Sequence, residues 1–398
     1  MSAALPCHDD AAVSSRCGDV RLILASGFQP DYVREVANAH ARLGYRVFLV
    51  GGDMHQGQNY LPDVSFLNLR GDDRRDTNPV REVVKLARYL ARLVYCVASS
   101  GSTTVYDVSI GRPLLRCVLM YPLLRSVGAR IVYTAHNVMP HDADTMRNRI
   151  VYWIVYRVLV DAIVVHGQAI KERLIAEFGV GPARVHAVAH GTYRALDRPE
   201  ITKRDARQRL GIAADERVVL CCGLQRHYKG THFAIGALDG YDAKGMRLVV
   251  RGHAPDSEYR GYIERLAREH RGPVAVDVRF GAVPGDELEL LFKACDVVLL
   301  PYLEGSQSGV KFMAYAYGRP VLASDVGSLP EDVVPGVTGE VFACGDAAAF
   351  RVALERMLAG IDSYAPGRIA EYAREHCSFD TAARQVDAVC AALARRRV

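Results

Sequence analysis

The sequence predicts an α/β protein made of two doubly wound domains. Three observations carry this. The 398 residues exceed one ordinary hydrophobic core. Short apolar runs alternate with helical periodicities through both halves, the pattern of a parallel sheet covered on both faces. One polar segment, Thr192–Asp205, contains Pro199 and separates two such series.

The first series opens with the apolar run Val20–Ala25. Asp31–Leu43 has helical spacing and stops at Gly44. Tyr45–Val50 and Ser65–Leu69 read as strands, and Pro79 opens a long helix to about Ala98. Leu114–Val127 reads as a helix, Ile131–Thr134 as a strand, Arg149–Val160 as a helix, Ala162–Val165 as a strand and Ala169–Phe178 as a helix. The second series has strands at Arg217–Cys222, Arg247–Arg251, Val274–Phe280, Val297–Pro301 and Pro320–Ala323. Its helices are Thr231–Leu238, Tyr259–His270, Gly285–Lys293, Gly309–Tyr317, Ala347–Leu358 and Phe379–Ala394. The expected layout is a poorly ordered tail over 1–19, a first domain over 20–191, a linker over 192–205 and a second domain over 206–375. In open parallel sheets, ligands bind beyond the carboxyl ends of the strands. Two such edges turned to each other make an interdomain cleft, a common ligand location.

Composition narrows the class. Half of the chain is hydrophobic and 24% is charged, which excludes disorder as the main state. Met1–Asp19 has no apolar core, so no leader is expected. No run of about 20 uncharged apolar residues exists, so no spanning helix is expected. The 10 cysteines include no CxxC pair, and Cys221, Cys222 and Cys295, inside apolar runs, read as small buried hydrophobes in a reducing cytoplasm. The net charge of +5 lies entirely in residues 1–200. The excess is local and no base-stacking module appears, so nucleic acid is a poor partner.

Four clusters carry candidate chemistry. Gly223-Leu224-Gln225-Arg226-His227-Tyr228-Lys229-Gly230 follows an apolar strand and precedes a helix. A glycine turn there offers backbone N–H groups to an anion, and Arg226 and Lys229 add two cations. Such charge is most useful where a diphosphate departs. A solvated basic turn is the competing reading. The second cluster, Pro301 to Val310, has the same strand–turn–helix setting. Ser306 or Ser308 can cap the helix, the amides of Ser308, Gly309 and Val310 can hold an anion or hydroxyls, and Glu304 and Gln307 supply acceptors. An ordinary helix cap is the competing reading. The third, Thr134-Ala135-His136-Asn137-Val138-Met139-Pro140-His141-Asp142, places two histidines, an amide and a carboxylate on a loop after a strand. Its histidine pair has no third metal ligand in view, so a metal is not expected. The fourth is Arg81, Lys85, Arg88 and Arg92, spaced to share one helix face while Val83, Val84, Leu86, Leu90, Leu93 and Val94 face the other way. That stripe reads as a solvated helix face or as a contact with anionic lipid.

Taken in order, these motifs resemble those of the retaining GT-B glycosyltransferases of the family-four type, nearest the bacterial branch that builds exopolysaccharide and lipopolysaccharide. GLQRHYKG resembles the donor-phosphate turn. FKACDVVLLPY followed by SQSGVKFMAYAYGRPVLASDVGSLPE resembles the donor-sugar and diphosphate segment, and TAHNVMPHD the first-domain loop whose His meets the donor sugar. The resemblance runs from about Val20 to about Ala394. It implies the GT-B fold, two doubly wound Rossmann-like domains facing a central cleft, with an acceptor domain first and a nucleotide-sugar donor domain second. Residues 376–398 would form a helix crossing back toward the first domain. By the resemblance, Arg226, Lys229 and His136 are catalytic. Gly223, Glu304, Gln307, Ser308, Gly309 and Val310 bind the donor, with the base near Gly252, His253 and Phe280–Val283. Asn137, His141 and Asp142 lie on the acceptor side. No cofactor and no metal is expected.

The activity this implies is transfer of a hexosyl unit from a UDP- or GDP-sugar to a hydroxyl of a lipid-linked saccharide, with retention. The implied location is cytoplasmic, peripheral on the inner face of the cell membrane, with Arg81, Lys85, Arg88 and Arg92 toward anionic lipid. One departure stands out. Gly305 and Met313 occupy the positions where many members carry two glutamates. That leaves open a nucleotide-sugar epimerase of the same fold, or a catalytically weak subunit supporting a partner transferase.

Overall fold

The computed structural model describes residues 19–25, 29–72, 78–109, 115–139, 145–193 and 200–395. The chain divides into two units. Unit 1 takes the described residues up to His166, Lys171–Val188 and those from Phe379 onward; unit 2 takes Gly167–Ile170 and Ala189–Ser378.

In chain order the elements begin with β1 (Val20–Leu24), α1 (Pro30–Arg42), β2 (Arg46–Gly51), β3 (Val64–Asn68), α2 (Pro79–Ser99), β4 (Thr104–Asp107) and α3 (Leu115–Ser126). There follow β5 (Arg130–Thr134), α4 (Met146–Ile154), β6 (Ala162–Val165), α5 (Gln168–Phe178) and β7 (Val185–Ala187). A π-helical turn, Val155–Leu159, prolongs α4. The seven strands are all parallel, in the order β3-β2-β1-β4-β5-β6-β7. The central strands are buried on both faces, which is why they read as unbroken apolar runs.

Unit 2 continues with α6 (Lys203–Leu210), β8 (Arg217–Cys222), α7 (Thr231–Leu238), β9 (Met246–Gly252), α8 (Ser257–Glu269), β10 (Ala275–Phe280) and α9 (Gly285–Ala294). Then come β11 (Val297–Leu300), α10 (Gly309–Ala316), β12 (Val321–Ser324), β13 (Gly339–Phe342), α11 (Ala347–Ala359) and α12 (Pro366–His376). Its parallel sheet runs β10-β9-β8-β11-β12-β13. The order reverses between β8 and β11, so two turns leave the sheet in opposite directions there and open a crevice at the strand ends. The last helix, α13 (Phe379–Arg395), belongs to unit 1. Asp387 of α13 meets Arg21 of β1 at 2.9 Å with both side chains buried, and the Tyr45 hydroxyl donates to the same carboxylate.

The sequence reading passed over β4, β7, β13, α6 and α12. The strands are three or four residues long and each includes a polar residue, so no run announces them. Of the segment read as a linker, 194–199 lies outside the described residues, and Lys203–Asp205 forms the first turn of α6, closed by a Thr202–Asp205 capping box. The Arg149–Val160 helix begins earlier, at Met146. Thr145 accepts from the Asn148 amide there, and the π turn follows after Ile154. The apolar side of α2 is also corrected. Tyr89, Leu93 and Val97 are buried, but Val83 and Val84 are exposed beside the basic stripe.

Candidate functional site

The crevice between β8 and β11 of unit 2 receives the first two clusters. The turn after β8 is stitched across the sheet edge. The amides of Gly223 and Gln225 donate to the carbonyls of Arg251 and His253, and Gly281 donates to Gly252. Gln225 is buried. It donates to the Gly223 carbonyl (3.1 Å) and accepts from Thr231 Oγ1 (2.6 Å), so the turn is fixed from inside. Two glycines permit the close approach. Gly252 has φ +137°, and a Cβ there would stand 1.9 Å from the Gly223 carbonyl oxygen. Gly230 has φ +68°, and a Cβ there would stand 1.8 Å from the carbonyl oxygen of Pro301. The β8 turn therefore packs backbone to backbone on the end of β11.

The second turn closes the contact. The amides of Leu303 and Glu304 donate to the Tyr228 carbonyl at 2.8 and 3.3 Å. Between the turns lies Lys229, whose ammonium is 4.9 Å from the centre of the Tyr302 ring and would be 3.7 Å from a Cβ at Gly223. Burial pulls its pKa down, but the phenols of Tyr302 and Tyr228 more than offset this. The net shift is upward, and the side chain is a cation at neutral pH. The Tyr302 hydroxyl pairs with Ser308 Oγ at 2.8 Å.

That pairing changes one expectation. Ser308 is the residue before α10, but its hydroxyl is engaged by Tyr302 and no side chain caps the helix. Gln307 Oε1 accepts from the Ser308 amide at 3.0 Å. The positive end of α10 at Gly309 and Val310 thus opens beside the Lys229 turn, an arrangement suited to a multiply charged anion. Half-buried Arg226 sits at the start of the same turn, and Glu304 and His253 are exposed at its edges, with Val283 half-buried beyond β10. His227 belongs elsewhere. Its ring lies 4.4 Å from that of His232, and it lines a groove of 610 Å³ along α8 with Tyr259, Tyr262 and Arg265.

Three residues within the quoted motifs, Gln225, Tyr302 and Lys311, carry no role in the sequence reading. Gln225 and Tyr302 hold the turns; a buried phenol directly after an apolar strand needs a hydroxyl partner, and that was the available signal. Lys311 is fully buried in α10 and donates to the carbonyls of Ser328 (3.3 Å), Leu329 (3.2 Å) and Glu331, with the Asp332 carboxylate at 3.4 Å. Asp332 is the one non-glycine with positive φ (66°) among the described residues. Burial lowers the Lys311 pKa despite that carboxylate.

In unit 1 the third cluster follows β5. His136 Nε2 donates to the Val108 carbonyl at 3.1 Å. Burial pushes its imidazole down to about 4, so it is neutral at pH 7 with Nδ1 as an acceptor. Its ring lies 5.2 Å from that of Tyr32 and 5.8 Å from that of His166, and Tyr32 Oη bonds His166 Nε2 at 3.1 Å. Tyr32 and His166 were not singled out in the sequence, because they come from α1 and the end of β6. Asn137 is exposed; His141 and Asp142 lie outside the described residues. On α2, Arg81, Arg88 and Arg92 are exposed and Lys85 is half-buried, its ammonium donating to the Asp72 carbonyl. Among the described residues no group of three His, Cys, Asp or Glu side chains is placed to hold a metal, and no helix is long and apolar enough to cross a membrane.

Comparison with known proteins gives the following. Residues 30–193 match the family model described as Glycosyltransferase Family 4, and residues 216–360 the one described as Glycosyl transferases group 1. The D-inositol 3-phosphate glycosyltransferases of Mycobacterium tuberculosis and Mycobacterium bovis are 30% identical to it over 203 residues, 50% of this chain and 41% of theirs. The chain thus spans about two fifths of the length of the curated relatives it matches. Among solved structures, Anabaena HepE in complex with UDP superposes with a TM-score of 0.69 at 18% identity, covering 94% of this chain and 100% of HepE. Sucrose-phosphate synthase from Thermosynechococcus elongatus gives 0.68 at 20% identity, covering 95% and 100%. WaaG, a glycosyltransferase involved in lipopolysaccharide biosynthesis, gives 0.60 at 16% identity, covering 92% and 98%. At these identities the likeness is one of fold.

Proposed function

Because it belongs to the GT-B glycosyltransferases of the family-four type, we propose that this chain moves a hexosyl unit from a nucleotide diphosphate sugar to a hydroxyl of a lipid-linked saccharide. The observation that supports this most is the meeting of two turns at the β8–β11 crevice. The Lys229 ammonium and the uncapped start of α10 offer positive charge to one diphosphate, with Arg226 three residues earlier in the same turn. In this reading those groups stabilise the departing diphosphate, and no metal is called on. His136, neutral with Nδ1 as an acceptor, is read as a contact for a sugar hydroxyl. Retention follows if the leaving phosphate oxygen takes the acceptor's proton on the same face. The UDP and UDP-glucose held by HepE make a uridine donor the first to try.

The acceptor in this reading is presented at the inner face of the cell membrane. The stripe Arg81, Lys85, Arg88 and Arg92 on α2 supports this, and contact through it weakens with salt, because exposed charges are screened beyond about 8 Å at physiological ionic strength.

The test is a thermal-shift panel on the purified chain with UDP, GDP, dTDP, ADP and their sugar conjugates, without metal. A ligand at about a hundred to a thousand times its Kd raises apparent stability by about 3–4 kcal/mol. A shift with one nucleotide supports the transferase reading and fixes the donor base. No shift with any of them overturns it in favour of a supporting subunit. Proton NMR of the product then reads the anomeric configuration; inversion would sink the same-face scheme.

A further inference from the structure

Unit 1 exposes apolar side chains where a protein surface seldom does. Of the fourteen large hydrophobic side chains exposed among the described residues, eleven lie on or directly beside α2, α3 and α4 with its π turn. On α4, Met146 (74% exposed), Ile150 (53%) and Trp153 (44%) recur at helical spacing, and Val158 of the π turn follows. Asn148, Tyr152, Val155 and Tyr156 take the buried side, so the outward row is a second apolar face and not a frayed core. Beside it α3 exposes Leu119 and Leu123. Its Arg125 donates to the Leu159 carbonyl at 3.2 Å, which ties α3 to the π turn. α2 packs on α3 and adds Val80, Val83 and Tyr95.

The charge on these elements has one sign. They carry nine Arg and Lys and a single carboxylate, Glu82. The Arg157 guanidinium lies 5.2 Å over the Trp153 ring. A second copy of the chain would bring the same cations against these and be repelled. An anionic lipid leaflet satisfies both features, since apolar side chains enter the acyl boundary while arginines stay with the phosphates.

We propose that α3, α4 and the π turn insert into an anionic leaflet, with Trp153 at headgroup depth and the α2 cations beside it on the lipid phosphates. This deepens the reading given above by naming the partner of unit 1. It goes past electrostatic contact, because the apolar row makes part of the binding resistant to salt. The helix that inserts is the one that follows the His136–Asn137 loop, so insertion holds that loop near the surface from which a lipid-linked acceptor is presented.

Trp153 is the only tryptophan in the chain, so its fluorescence reports this face alone. The full chain is titrated with vesicles of phosphatidylcholine, and of phosphatidylcholine mixed with phosphatidylglycerol. Expected are a blue shift with the anionic vesicles only, and quenching when the vesicles contain brominated lipid. Combining Met146→Asp with Ile150→Asp is expected to weaken vesicle partition by about tenfold or more while nucleotide-induced thermal shifts stay unchanged. Co-sedimentation with an unshifted emission would overturn the insertion, leaving contact through α2 alone. A blue shift that grows with protein concentration in the absence of vesicles would overturn it in favour of an interface between copies. The vesicle titration itself contains no donor or acceptor, so its failure and the failure of the transferase reading are separately visible.

Discussion

Lys229→Met is the perturbation that bears most directly on the proposed donor site. Methionine keeps an unbranched stem of similar length, so packing beneath the turn is largely retained. What goes is one cation. A phosphate charge about 4 Å from that ammonium, at an effective dielectric constant near 20, gains about 4 kcal/mol. Against this stands the ammonium's attraction to the Tyr302 ring, about 0.5–1 kcal/mol, which a bound phosphate partly replaces. The net loss is then about 3 kcal/mol, or roughly 150-fold in affinity for the diphosphate. Calorimetric titration of the nucleoside diphosphate that shifts the wild type, beside its nucleoside, separates the contributions. The diphosphate should weaken by about two orders of magnitude and the nucleoside by less than about twofold. Equal losses for both would mean that Lys229 acts by folding the turn, and no loss would mean that the diphosphate lies elsewhere.

Two further outcomes follow from unit 1. His40 is buried, donates from Nδ1 to the Val36 carbonyl, and is pushed down to about 4 by burial and by the nearby Arg21 cation. The unfolded chain therefore binds a proton that the folded one refuses, and stability is lost as pH falls from about 6.5 to 4, by about 3 kcal/mol. Urea unfolding of wild type and His40→Gln across that window checks this, and parallel pH profiles would contradict it. Asp387→Asn leaves Arg21 buried without its counter-charge and should cost about 3–5 kcal/mol, whereas Arg21→Met with Asp387→Leu should recover most of that. Melting temperatures of the wild type and the two variants decide it.

The turns after β8 and β11 were legible because each ends an unbroken apolar run with glycine, cations or small polar residues, and a helix follows at once. The alternation of strand and helix was legible for the same reason: a strand buried on both faces leaves an unbroken apolar run. Strands β4 and β13 left no such run, since four residues that include a polar one look like loop. Lys311 was invisible for a different reason. A lysine within an apolar helix reads as a surface residue, and only the carbonyls of the 328–332 turn, brought in by tertiary folding, make it an interior one. Val83 and Val84 misled in the opposite sense, because helical periodicity tells which residues share a face and not whether that face is covered. Tyr32 and His166 meet His136 from elements far apart in sequence, and no local pattern announces such a meeting.

The ion pair between Arg21 and Asp387 also has a bearing on how the chain is made. One half of it lies on the first strand of unit 1 and the other on a helix that follows all of unit 2 in sequence. On the ribosome, β1 to β7 emerge with α13 still unsynthesised, so Arg21 and the face of α1 that α13 covers must wait. Unit 2, apart from Gly167–Ile170, is continuous and has no such delay. Domains fold as units during synthesis at about 5–20 residues per second, so the nascent chain carries an unfinished first unit for roughly the 10–40 seconds that unit 2 takes to appear. Its apolar surfaces are then open to chaperones before α13 closes them.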